Sequence, residues 1–182
     1  MRSDAVVARK SSQQEENYSL SEDASSCDDS RKPSVIWMRA FLAHFVGLRR
    51  MMAEYKSAEG GGGECMSDAD MPYIKELLPL KQVALQRLLE KEVMVYSKKG
   101  CIDDDDLRKL YTVTALLELP CNADTLASLQ RVMRMCAAAR AEKDCPSKQR
   151  LALLNLIIVI CGGLFRQDRE LAVVWDEEMY AS

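Results

Sequence analysis

The run from Leu151 to Phe165 constrains the fold more than any other part of the chain. It is 15 residues long, interrupted only by the amide of Asn155, and as a helix it would be apolar on every side. A bilayer span needs about 20 such residues, so this run must be enclosed by other elements of its own domain. A helix of that kind is the spine of a bundle. Elsewhere the apolar residues recur every three to four positions, without strand–helix alternation or an internal repeat. The sequence therefore predicts an all-α fold, a single helical bundle of about five main helices with flexible acidic ends.

The other helices follow from periodicity and from their stop signals. Ser34 can cap a helix from Val35 to about Lys56, with Phe41, Phe45, Leu48 and Met52 as its buried stripe and Ile36 and Trp37 widening it. Gly60–Gly63 make continuation costly, so residues 57–71 read as a Gly-rich flexible loop. A second helix is expected from about Pro79 to Ser97. Leu80, Val83, Leu88 and Val93 lie near one broad face, supported by Ala84, Leu85 and Leu89, and Gly100 is placed to end it. The third starts inside Asp103–Asp106, whose carboxylates meet the unpaired amides and positive dipole of a first turn. Leu107, Leu110, Tyr111, Thr114 and Leu117 form its stripe, and Pro120 stops it. Asn122 or Asp124 can cap a fourth, with Leu126, Leu129, Val132, Met133 and Cys136 periodic and Arg131, Arg134, Arg140 and Lys143 opposite. Pro146–Ser147 then open the spine helix, within which Gly162–Gly163 point to a close helix crossing or to a nearby helix end.

Charge divides the chain in the same way. Residues 1–34 carry five basic and seven acidic side chains with few apolar ones, and are expected to form a disordered tail. Residues 35–168 are expected to form the helical domain, and 169–182 an acidic C-terminal extension with Trp175 and Tyr180 in it. The net charge of −3 argues against a general nucleic-acid binder, although the basic surface of Arg131, Arg134, Arg140 and Lys143 could meet RNA or an acidic protein segment.

Catalytic chemistry has little to build on. His44 is the single histidine, and a boundary position with its ring partly buried is expected for it. The aspartate tetrad lacks the spaced oxygens and turn glycine of a calcium loop, and no Lys-Ser/Thr pair follows the four glycines. The seven cysteines form no CxxC pair. With no signal peptide in view, they are expected to be free, metal-free thiols in a reducing compartment. No enzyme, cofactor or membrane association is expected. Asn155, inside an otherwise apolar helix, must find hydrogen-bond partners, because burying an amide unpaired costs about 1–3 kcal/mol.

The segment Leu117–Glu118–Leu119–Pro120, then Leu129, Cys136 and Arg140, then Ala152–Leu153–Leu154–Asn155–Leu156–Ile157, with Phe165 and Gln167 beyond, resembles the survival-motor-neuron-interacting protein family, the second of the Gemins. Leu110–Tyr111 match a Leu-Tyr pair ahead of the same proline, and Trp37, Phe45 and Arg49 are similar to a Trp, Phe and Arg at the same offsets. The resemblance covers roughly residues 35–168. It implies a non-enzymatic adaptor of the SMN complex, in cytoplasm and nucleus, acting in assembly of spliceosomal small ribonucleoproteins. Its implied partners are the N-terminal helix of the survival motor neuron protein and a pentamer of Sm proteins, with RNA met only indirectly. A groove for the partner helix is expected at Leu110, Tyr111, Leu129, Cys136, Leu156 and Phe165, with Asn155 as a polar core or interface residue. Two alternatives stay open on the residues alone, a helical scaffold subunit of an unrelated complex and a direct RNA-binding helical module.

Overall fold

The computed structural model describes residues 29–57, 73–142 and 146–173. Every regular element among them is helical: besides helical residues 169–173 near the end, a 3₁₀ turn at Asp29–Arg31, then α1 (Val35–Ser57), α2 (Ile74–Leu77), α3 (Gln82–Lys99), α4 (Asp104–Leu116), α5 (Ala123–Ala141) and α6 (Lys148–Val159). The last continues without a break into a π segment, Ile160–Leu164. α6 packs between α4 and α5, α3 lies against α5 and α4, and α1 crosses α4 and the π segment. From Leu154 to Phe165 every side chain is buried except those of Leu156 and Leu164, which are half-buried. The apolar run is thus the enclosed spine.

Local chemistry sets the helix ends as expected. The Ser34 hydroxyl accepts from the Trp37 amide at 3.3 Å. Asp103 and Asp106 exchange bonds with each other's backbone amides as a capping box. Asn122 caps α5 through the Thr125 amide at 2.7 Å, and Ser147 caps α6 through the Arg150 amide at 3.2 Å. Gly100 ends α3 in the left-handed region, at φ 73°, with its amide on the Tyr96 carbonyl. The paired glycines serve close approach. A Cβ on Gly163 would stand 2.8 Å from Cδ1 of Leu42 on α1, and one on Gly162 would stand 2.4 Å from Cδ1 of Leu171.

Register differs from expectation in three helices. α1 buries Met38, Leu42, Phe45, Leu48 and Met52, leaving Phe41 half-buried and Ile36 and Trp37 exposed. α3 buries Leu85, Leu89, Val93 and Tyr96 and turns Val83 outward. α4 buries all its side chains from Thr112 to Leu116, while Tyr111 is half-buried. The four-residue α2 was not anticipated; its Ile74 and Leu77 are fully buried. His44 is exposed rather than at a boundary. Regular structure begins at Asp29, ahead of the expected start at Val35. Residues 1–28, 58–72 and 174–182, which hold most of the expected tail, loop and acidic extension, lie outside the described residues.

Candidate partner-binding surfaces

The residues expected to line a groove are instead used in the domain's own packing. Leu110, Leu129, Cys136 and Phe165 are buried core side chains, and Tyr111 and Leu156 are half-buried. The spine helix they surround uses them as its enclosure. Tyr111 closes an aromatic ladder along α1, in which Trp37 stacks on Phe41 at 5.3 Å, Phe41 meets Phe45 at 5.8 Å and Phe45 meets Tyr111 at 5.2 Å. Phe165 lies beneath Arg49, whose guanidinium carbon is 5.3 Å from the ring centroid. The same guanidinium donates to the carbonyls of Thr114 and Leu117, two of the acceptors left open where α4 ends. Burial lowers the Arg49 pKa from its ordinary value.

Asn155 finds the partners its burial demands. Its Oδ1 accepts from Arg140 Nη1 at 2.9 Å and its Nδ2 donates to the Arg31 carbonyl at 3.0 Å. Arg31 in turn donates through Nη1 to the carbonyls of Arg140 and Glu142, at 3.0 and 2.7 Å, at the C-terminus of α5. Arg140 therefore belongs to a polar knot that ties the first described residues to α5 and α6, not to an open basic surface. Arg131 and Arg134 are exposed on α5, and Lys143 lies outside the described residues. Among the described residues, the expected basic surface keeps Arg131 and Arg134 in the open.

The surface most in need of a partner is the outer face of α1. Over Val35–Leu48 the helix carries a single charge, that of Arg39. One side of it packs on the core. The opposite side, Ile36, Ala40, Ala43, Gly47 and Met51 at successive helical turns, faces solvent. Ile36 is 82% exposed and Met51 55%. A Cβ on Gly47 would meet nothing within 4 Å among the described residues. Glycine in a helix interior costs about 0.5–1 kcal/mol relative to alanine, and nothing in the described chain explains that cost here. Over Val35–Leu48 only Arg39 and the exposed His44 interrupt the apolar residues of α1, so its outer face is the kind of apolar patch that marks an interaction site. Of the outer residues the sequence pattern assigns Ile36, with its neighbour Trp37, to the core stripe, and it marks none of the others.

Other chemistry is sparse. Among the described residues no group of three His, Cys, Asp or Glu is arranged to hold a metal ion, and no helix is long and apolar enough to cross a membrane. Of the described cysteines Cys101 is exposed and Cys136 and Cys161 are buried. Burial pushes the Cys136 thiol up to about 12 and raises that of Cys161 well above its ordinary value, so neither supplies a thiolate near neutral pH.

A closed helical core with an uncovered apolar helix face defines a protein-interaction module. The Survival motor neuron (SMN) interacting protein 1 (SIP1) family matches residues 2–168, and the chain belongs to that family. The match begins at residue 2, so it includes the N-terminal region that the residue-level resemblance over 35–168 left aside. No curated protein matches the chain.

Proposed function

We propose that the chain is a non-enzymatic adaptor of the SMN complex. In this reading it holds the N-terminal helix of the survival motor neuron protein on the outer face of α1. It also helps hold Sm proteins while spliceosomal small ribonucleoproteins assemble, in cytoplasm and nucleus. Family membership supports the SMN partner. The observation that carries the site is the apolar outer face of α1 with a glycine at its centre. From Ile36 to Met51 that face runs about 22 Å at 1.5 Å per residue, the length of four turns of an amphipathic partner helix. Ala40, Ala43 and Gly47 allow the two backbones a close approach, with Ile36, Trp37 and Met51 as apolar anchors around them.

Isolation of the cellular complex tests the reading. The tagged chain is expected to recover the survival motor neuron protein and Sm proteins together. Gly47→Arg, which places a long cation at the centre of the face, is expected to lose the first. Recovery of neither from the unaltered chain would favour the unrelated scaffold. RNA affinity of the purified chain that fell steeply with salt would favour the RNA module.

A further inference from the structure

Helix α3 carries a second uncovered face of different chemistry. Val83, Arg87, Lys91, Met94, Val95 and Lys98 follow the helical period on its outer side, all of them exposed. Val83 is 57% exposed and Met94 56%. The only carboxylates of α3 are turned away from this face: Glu90 accepts from the Thr125 hydroxyl at 3.0 Å, and Glu92 pairs with Lys109 at 2.8 Å. Among the described residues Arg87, Lys91 and Lys98 meet no carboxylate, unlike Lys99, which reaches Asp103 at 2.7 Å. The face is therefore cationic with apolar side chains between the charges, and its complement is an acidic segment with apolar residues between its carboxylates.

The chain contains such a segment. Residues 11–28 hold Glu15, Glu16, Glu22, Asp23 and Asp28 without a single cation, and Tyr18 and Leu20 stand among them. The polar knot fixes where that segment joins the body. Arg31 is held at the end of α5 and beside Asn155 of α6. Arg150, a little over one turn earlier on α6, donates to the Ile102 carbonyl at 2.7 Å, just past the Gly100 that ends α3. The anchor thus lies at the end of the bundle where α3 stops. An 18-residue helix is about 27 Å long. The chain from Arg31 back to Tyr18 can span at most about 43 Å at about 3.3 Å per residue, enough to run the length of α3.

We propose that residues 15–28 lie along the outer face of α3, their carboxylates opposite Arg87, Lys91 and Lys98 and Tyr18 and Leu20 against Val83, Met94 and Val95. The N-terminal region is then stored on its own domain by contacts that salt and a competing basic partner can release. A single-stranded RNA on this face is disfavoured, because readers of single strands stack bases on aromatic rings and Tyr96, the one aromatic of α3, is buried.

Carbodiimide coupling of the full-length chain, which joins a lysine amine to a nearby carboxylate with loss of water, tests this by mass spectrometry. The expected result is crosslinks from Lys91 and Lys98 to the carboxylates of residues 15–28. Their yield should be independent of protein concentration and fall several-fold at 0.5 M salt, about a 4 Å screening length. Arg87→Gln, which removes a cation of the face without adding a carboxylate that could couple to Lys91 one turn on, should cut the yield at Lys91 and Lys98, whereas Arg131→Gln on α5 should leave it unchanged. Three outcomes would overturn the proposal: crosslinks only between copies in a mixture of isotope-labelled and unlabelled chains, crosslinks spread evenly over all surface lysines, or equal effects of the two substitutions. Protection of Lys91 and Lys98 by added RNA, with no crosslinks to residues 15–28 in its absence, would overturn it in favour of an RNA site.

Discussion

Asn155→Ala removes the centre of the polar knot, and its cost can be worked from the bonds lost. The amide gives up one bond to the charged Arg140 guanidinium and one to the Arg31 carbonyl. A bond to a charged group contributes about 1.5–3 kcal/mol and a neutral one about 0.5–1.5. Arg140 and Arg31 are only half-buried, so water recovers part of each, and the expected loss is about 2–3 kcal/mol. For a domain of this size that lowers Tm by about 5–10 °C. Thermal unfolding followed by circular dichroism, with urea unfolding to confirm an unchanged m-value, measures it. Asn155→Asp sharpens the test. It keeps an acceptor for Arg140 but sets an oxygen against the Arg31 carbonyl in place of the donor, so it should release the Arg31 side of the knot and speed exchange of the Lys32 and Ser34 amides. If Asn155→Ala lies within about 0.5 kcal/mol of the unaltered chain, the range of ordinary surface changes, the knot does not hold the body together.

Three further outcomes follow from the same geometry. Phe165→Ala should destabilise the fold by about 3 kcal/mol or more, as deletion of a buried phenylalanine does; urea unfolding reads this, and a change confined to partner affinity would restore a groove at that position. The Lys99 ammonium, and then the Asp106 amide, hold the Asp103 carboxyl down at about 2, against an ordinary value of 3.8. Its contribution to stability is therefore present above about pH 4 and lost as the pH falls through about 2, and Asp103→Asn should flatten a stability profile over that window. Iodoacetamide at pH 8 should label Cys101 rapidly and leave Cys136 and Cys161 untouched until the chain unfolds, with site-resolved mass spectrometry as the readout.

What could be read from the sequence was what short-range chemistry decides. Asp103, Asn122 and Ser147 each cap through an amide three residues on, and Gly100 needs only its own left-handed conformation. The spine was legible because a helix apolar on all sides leaves no choice of face. Register was harder. Ile36 and Val83 have core chemistry but outward positions, and periodicity alone does not say which side of a doubly apolar helix is the inner one. The bonds from Arg49 to the end of α4 and from Arg31 to the end of α5 cross 65 or more residues of sequence, so no local pattern announces them. The residues expected at a groove show the same difficulty. Phe165, Cys136 and Asn155 carry the family resemblance, and the fold uses all three to enclose and fix its spine. The proposed partner surface lies instead on α1, where Ile36, Ala40, Ala43 and Gly47 are exposed and carry no pattern that would mark them as one.

Calorimetric titration with a peptide of the survival motor neuron protein's N-terminal helix tests the central claim most directly, using two variants that each put a carboxylate in place of an exposed apolar side chain. Ile36→Asp alters the proposed anchor on α1, and Met94→Asp makes the same kind of change on α3. Both residues are exposed, so thermal stability should stay close to that of the unaltered chain. Loss of a buried anchor costs about 2 kcal/mol or more, so Ile36→Asp, at one end of the face, should weaken binding about 30-fold while Met94→Asp leaves it unchanged. Binding to Ile36→Asp as tight as to the unaltered chain would contradict the assignment of α1 as the face that receives the partner.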